Sequence, residues 1–192
     1  MPPLSSPARG PRADAERNRL RILEAARELF TQRGDEVQLP EVARAAGVGV
    51  GTVYRHFASQ RELVEAAAEL RFAEIAEFAA TVCLAEAAPG QGLARYLHHV
   101  GEVLAADRGL SAAIEAARGS AGSEPRGTAL RELESVVAAL IERDRAAGAL
   151  RADCAVGDVY LLVGALSATI RTGSGDWRRL LEIALAGLAA RP

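Results

Sequence analysis

Thr52, Tyr54, Arg55 and His56 crowd four hydrogen-bond donors into five residues. Hydroxyl, guanidinium and imidazole groups can all donate to phosphate oxygens, and a guanidinium can also grip the edge of a guanine with two parallel bonds. Gly51 and Thr52 are small enough to let a helix N-terminus, with its free N–H groups and partial positive charge, come close to a polyanion. Taken one at a time the residues have plainer readings. Tyr54 fits a core aromatic with its hydroxyl at the rim, His56 fits a surface histidine, and Arg55 either reads a base or only touches a backbone.

Other chemistries are poorly supplied. All 23 basic residues are Arg, which excludes a Schiff-base lysine and a phosphate-loop lysine. His98 and His99 are adjacent, so on a helix they point about 100° apart. His98 and Glu102 are four apart but lack a third ligand, so no metal site is expected. No Ser-His-Asp or Cys-His order stands out among three histidines, and no enzyme is expected. Cys83 and Cys154 lie far apart in apolar stretches and read as buried free thiols.

The elements that must position the donor cluster are helices. Of 192 residues, 49% are hydrophobic and 25% charged, which suits a folded chain with its own core. Ala and Leu abound and strand-like alternation is missing, so the fold class is all-α, with about nine helices. The periodicity predicts helices over 14–33, 41–46, 52–57, 60–84, 91–106, 110–118, 125–147, 156–171 and 176–190. Pro40 suits a first turn, Ser59 and Glu62 have capping-box spacing, and Gly34 suits a stop. Residues 1–13, with Pro2, Pro3, Pro7 and Pro11, read as a mobile arm without a secretory signal. The most apolar run, 159–170, is 12 residues, short of the roughly 20 a membrane span needs. The expectation is a cytoplasmic protein with no membrane partner.

Between 41–46 and 52–57 lies the turn Ala46-Gly47-Val48-Gly49, which makes the block a helix-turn-helix. Val53 and Phe57 point to the core, leaving Val50, Gly51, Thr52, Tyr54, Arg55 and His56 outward. Residues 1–61 hold ten Arg against seven acids, while 62–192 hold 13 Arg against 18 acids. A basic end on an acidic remainder suits a polyanionic partner at that end.

These residues carry a family resemblance. The run Ile22-Leu23-Glu24-Ala25-Ala26-Arg27-Glu28-Leu29-Phe30 followed by Gly34 resembles the first helix of the tetracycline-repressor (TetR) family. The run from Val42 through Ala46-Gly47-Val48 to Val53-Tyr54-Arg55-His56-Phe57 is similar to its helix-turn-helix, and Glu62-Leu63-Val64 to the start of its fourth helix. The similarity covers residues 17–68. It implies a homodimeric regulator, usually a repressor, that binds a palindromic double-stranded DNA operator and is released by a small-molecule effector, with no cofactor. It implies a DNA-binding domain at 14–58 and a linker, ligand-binding and dimerisation domain at 59–192. Thr52, Tyr54 and His56 occupy phosphate-contacting positions of the family, and Val50, Gly51 and Arg55 base-contacting ones. Two departures stand out: Gly49 replaces a common serine and Gln60 a common lysine. Phosphate affinity would then lean on Arg17, Arg19 and Arg44, and on Arg9 and Arg12 of the arm. A small all-helical ligand-binding protein or enzyme with no DNA role is the alternative.

The resemblance further implies an effector cavity among the middle helices. Tyr96, His99, Arg118 and Arg143 are polar groups there that could orient an apolar effector, and could equally be solvated. At the C-terminal end, 156–170 is apolar nearly all round and 177–188 carries a wide apolar stripe. Pairing with a symmetry mate would make a four-helix interface of Val159, Leu162, Val163, Leu166, Trp177, Leu181, Leu185 and Leu188. A monomer with one central helix is the other possibility.

Overall fold

The computed structural model describes residues 11–120 and 122–190. Its helices are α1 (Pro11–Arg33), α2 (Leu39–Ala45), α3 (Val50–His56), α4 (Gln60–Phe78), α5 (Gly92–Ala106), α6 (Arg108–Arg118), α7 (Gly127–Ala146), α8 (Val156–Thr172) and α9 (Trp177–Leu188). Strands are absent among the described residues. A single backbone pairing of Leu150 with Ala189 fastens the α7–α8 connection to the end of α9.

The first three helices close on one another because each offers one apolar side. Ile22, Ala26 and Phe30 of α1 meet Val42 and Ala43 of α2, and Val53 of α3 and Phe57 just after it complete the cluster. Phe57 is fully buried, and truncating such an aromatic costs about 3–5 kcal/mol. Gly47 turns the chain between α2 and α3 at φ +63°, where a side chain would be strained and would also meet the Arg21 guanidinium. Arg21 donates to the Ala46 carbonyl at 2.6 Å and so caps α2 from outside.

Boundaries differ from expectation in ways that have local causes. Residues 11–13, expected in the arm, belong to α1, since Pro suits a helix's first turn; residues 1–10 lie outside the described residues. Val50 and Gly51, expected in the connection, belong to the first turn of α3, because Gly49 takes the extended N-cap conformation and starts the helix two residues earlier. The long helix expected to residue 84 is α-helical only to Phe78. It then widens into a π-helical turn, Ala79–Leu84. Ser59 Oγ accepts from Glu62 N at 3.2 Å, and Glu62 reaches back to Ala58 N at 2.8 Å, which fixes where α4 begins.

α4 leaves the three-helix unit and runs into the second core, packing on α1, α6 and α7. α6 returns to the first unit. Its Gly109 lies so close to α1 that an added Cβ would sit 2.1 Å from the Phe30 carbonyl oxygen. Arg27 of α1 forks between Glu74 of α4 at 2.5 Å and Asp107, just ahead of α6, at 3.1 Å. Thr31 adds a bond to the same Asp107 at 3.1 Å.

Candidate nucleic-acid interface and interior cavity

α3 presents one polar and one apolar side. Val53 is fully buried, whereas Val50, Gly51, Tyr54 and Arg55 are exposed and Thr52 and His56 half-buried. Tyr54 is 52% exposed, which removes the core-aromatic reading. Arg44, at the end of α2, is exposed. Arg55 folds back along its own helix: Nε donates to the Gly51 carbonyl at 3.2 Å and Nη2 to Thr52 Oγ1 at 3.0 Å. To reach a base it must exchange these bonds. Arg19 lies over the Phe57 ring at 4.9 Å, and Arg17 pairs with Asp14. Arg9 and the Arg12 side chain lie outside the described residues. Gln60 is spent internally, donating to the Asp35 carbonyl at 3.0 Å.

Behind this unit, between α4, α5, α7 and α8, lies a cavity of about 310 Å³. Its walls are mostly apolar, with Phe72 and Ile75 from α4, Val100 and Leu104 from α5, Leu133 from α7 and Val159 from α8. α6 contributes Glu115, which pairs with Arg171 of α8 at 3.3 Å.

Of the four residues expected to orient an effector, only Tyr96 lines this cavity. Burial pushes its hydroxyl pKa upward, so it stays a neutral donor. The other three lie elsewhere. His99 stacks on Phe78 with centroids 3.7 Å apart, and burial there pulls its pKa down. Arg118 grips Glu65 with both arms, at 2.9 and 2.8 Å, and holds Glu65 below its ordinary pKa. Arg143 donates to the carbonyls of Cys83, at 2.9 Å, and Leu84, capping the π-helical turn. Both arginines are consumed by structure.

Sequence reasoning missed Arg71 and Tyr160, both of which line the cavity. Arg71 was detectable in principle. Ala67, Arg71 and Ile75 fall four apart, which puts an arginine inside the buried stripe of α4. Cys83 and Cys154 are free and buried, and burial raises both thiol pKa values. Glu102 is taken by Arg178 at 2.8 Å rather than presented beside His98.

Residues 22–67 match the family model described as bacterial regulatory proteins, tetR family, and residues 88–190 match the C-terminal domain described as transcriptional regulator SbtR-like. The chain belongs to the TetR family. A TetR transcription regulatory protein from Mycobacterium vanbaalenii is similar over 93% of this chain and 99% of its own, with 33% identity and a TM-score of 0.65. A TetR transcriptional regulator from Streptomyces coelicolor is similar over 91% of this chain and 99% of its own, with 32% identity and a TM-score of 0.67. An HTH-type transcriptional regulator of Staphylococcus aureus (strain USA300) shares 43% identity over 53 residues, 27% of this chain and 29% of that protein. These matches are to DNA-binding regulators, not enzymes. No helix among the described residues is long and apolar enough to cross a membrane.

The residues expected at the dimer interface divide between the interior and the surface of the subunit. Val159, Leu166, Trp177, Leu181 and Leu188 are buried inside the single subunit, because α8 and α9 must first cover α5. Leu162, Val163 and Leu185 are half-buried. The apolar residues left outside are Leu161, 73% exposed, and Ile183, 57% exposed. Beside them Gly157, Gly164 and Gly187 face open space.

Proposed function

We propose that this protein is a homodimeric repressor that binds a palindromic operator through two copies of α3 and leaves it when a small effector fills the cavity. Residues 14–58 form the DNA-binding unit and 59–192 the effector and dimer unit. Tyr54, Thr52 and His56 hold phosphates, Arg44 adds charge, and Val50, Gly51 and Arg55 face the bases. The dimer forms through the outer faces of α8 and α9 around Leu161 and Ile183. The glycines beside these residues let two helix pairs approach closely.

The observation that carries this reading is a shared wall. α4 and α6 both border the cavity, and both are fastened to α1. An effector that prefers one arrangement of these walls therefore shifts the α3 spacing away from the roughly 34–36 Å that successive major grooves require.

Light scattering in solution and fluorescence anisotropy on DNA upstream of the gene carrying an inverted repeat test the reading together. A dimer with salt-sensitive, sequence-selective binding is expected. A stable monomer indifferent to that DNA overturns it.

A further inference from the structure

The cavity contains one charge that the proposed function leaves unexplained. Arg71 is wholly buried, at 0% exposure. Its Nη1 donates to Ser111 Oγ at 3.0 Å and its Nη2 to the Ser123 carbonyl at a long 3.3 Å, while its Nε has no partner. Both partners are neutral. Among the described residues no carboxylate reaches ion-pair distance of this guanidinium. Asp107, the acid that acts on it most, is already taken by Arg27 and Thr31. Burial pulls the Arg71 pKa down to about 10, which still leaves it charged at neutral pH. A buried cation without a counter-ion is costly, and structures retain one chiefly where something else completes it.

The surroundings narrow what completes it. The Tyr160 hydroxyl is a second buried polar atom without a partner on the same cavity. Glu115 is neutralised by Arg171, and Glu124 pairs with Arg126 at 3.7 Å. The other guanidiniums that act on Arg71 are committed elsewhere, Arg27 to Glu74 and Asp107 and Arg118 to Glu65. One uncompensated positive charge matches one negative charge, and a planar fork matches a planar carboxylate. A doubly charged phosphate would leave a second charge unmet. The remaining walls are apolar, and about 310 Å³ stands at the small end of ligand pockets.

Resting on the effector reading above, we infer that the effector is a small, mostly apolar organic acid whose carboxylate takes the place of the Ser123 carbonyl on the Arg71 guanidinium. The Tyr160 hydroxyl donates to the same end of the ligand. Phe72, Ile75, Val100, Leu104 and Leu133 cover its body.

The test uses the full-length protein and matched probes: octanoate and 4-phenylbutanoate against octanamide and 4-phenylbutanamide. Calorimetry reads affinity. Trp177, the sole tryptophan, packs on α5 at Gly101, next to the cavity-lining Val100, and its fluorescence serves as a second readout. The acids are expected to bind at least about 10-fold more tightly than their amides, the effect of a hydrogen bond to a charged group. Arg71→Met should erase that preference while amide binding persists. Arg71→Lys, which keeps the charge but loses the fork, should fall between. Tyr160→Phe should weaken the acids by a smaller factor.

Amides binding as tightly as acids to the unaltered protein overturn the inference, and that comparison needs no variant to fold. A preference for acids that survives Arg71→Met in a folded variant overturns it equally. If amides bind and release DNA but acids do not, the cavity is the effector site and only the carboxylate assignment fails. If neither class binds, the cavity reading falls with it.

Discussion

Gly109→Ala would test how tightly the cavity unit is fastened to the DNA-binding unit. The new methyl would lie 2.1 Å from the Phe30 carbonyl oxygen and 2.6 Å from the Thr31 carbonyl oxygen. Both obstacles are backbone, so no side chain can swing away. Restoring even a 3.0 Å contact requires α1 and α6 to part by about 0.9 Å, in an interior packed as densely as an organic crystal. Overpacking of this kind costs about 1–3 kcal/mol. For a chain of this length that is a fall in melting temperature of about 2–4 °C per kcal/mol. The same displacement strains the Asp107 bonds to Arg27 and Thr31, each 3.1 Å. Because α1 carries α3, operator affinity should fall as well. The loss of one well-aligned base contact, about 1–3 kcal/mol, is the expected scale, or roughly 5- to 150-fold. Differential scanning fluorimetry gives the stability and anisotropy on operator DNA gives the affinity. A variant that melts within about 1 °C of the parent and binds DNA within twofold would refute the claim that α6 reaches the DNA-binding unit through this seam.

Tyr54→Phe removes one phosphate donor and is expected to weaken operator binding severalfold at unchanged helicity, read by anisotropy and circular dichroism. Arg55→Ala should flatten discrimination among operator variants if the guanidinium reads a base, and a uniform loss across sequences would instead mark a phosphate contact. On the proposed dimer reading, Leu161→Asp with Ile183→Asp should give a monomer in light scattering without lowering helicity, since both side chains face outward within the subunit. His99 has its pKa depressed by burial below the ordinary 6.5, so the unfolded chain binds the extra proton first. The stability linked to it is present above about 6.5 and is lost as pH falls through the depressed value. His99→Phe should therefore lose less melting temperature than the parent between pH 7 and pH 5.

The helical architecture was readable because each element is marked locally: Pro40 and Ser59 at starts, Gly47 and Gly173 at reversals, and apolar residues three and four apart between them. The outward set on α3 was readable for the same reason, since Val53 and Phe57 fix which side turns inward. What local pattern does not carry is which polar groups share a space. Tyr96, Arg118 and Arg143 look alike as polar interruptions of apolar helices. Only the packing shows that Arg118 finds Glu65, 53 residues away, and that Arg143 finds the carbonyls at Cys83 and Leu84. The C-terminal helices fail in a related way. Periodicity says that Leu166, Trp177 and Leu181 are buried. It does not say whether the covering surface is the same chain or a second copy, and α5 turns out to be that cover.

The fork of Arg27 has a mechanical consequence. One side chain on α1 holds α4 by one arm and the approach to α6 by the other. When both partners travel in the same direction, α1 and the reading head follow with both bonds kept. When they travel oppositely, one bond must break and only half the movement is passed on. On the proposed effector reading, two molecules of equal affinity for the interior would differ in effect: a broad one that pushes both walls outward would drive release, while a slender one that displaces a single wall would occupy the protein and leave it seated on its operator.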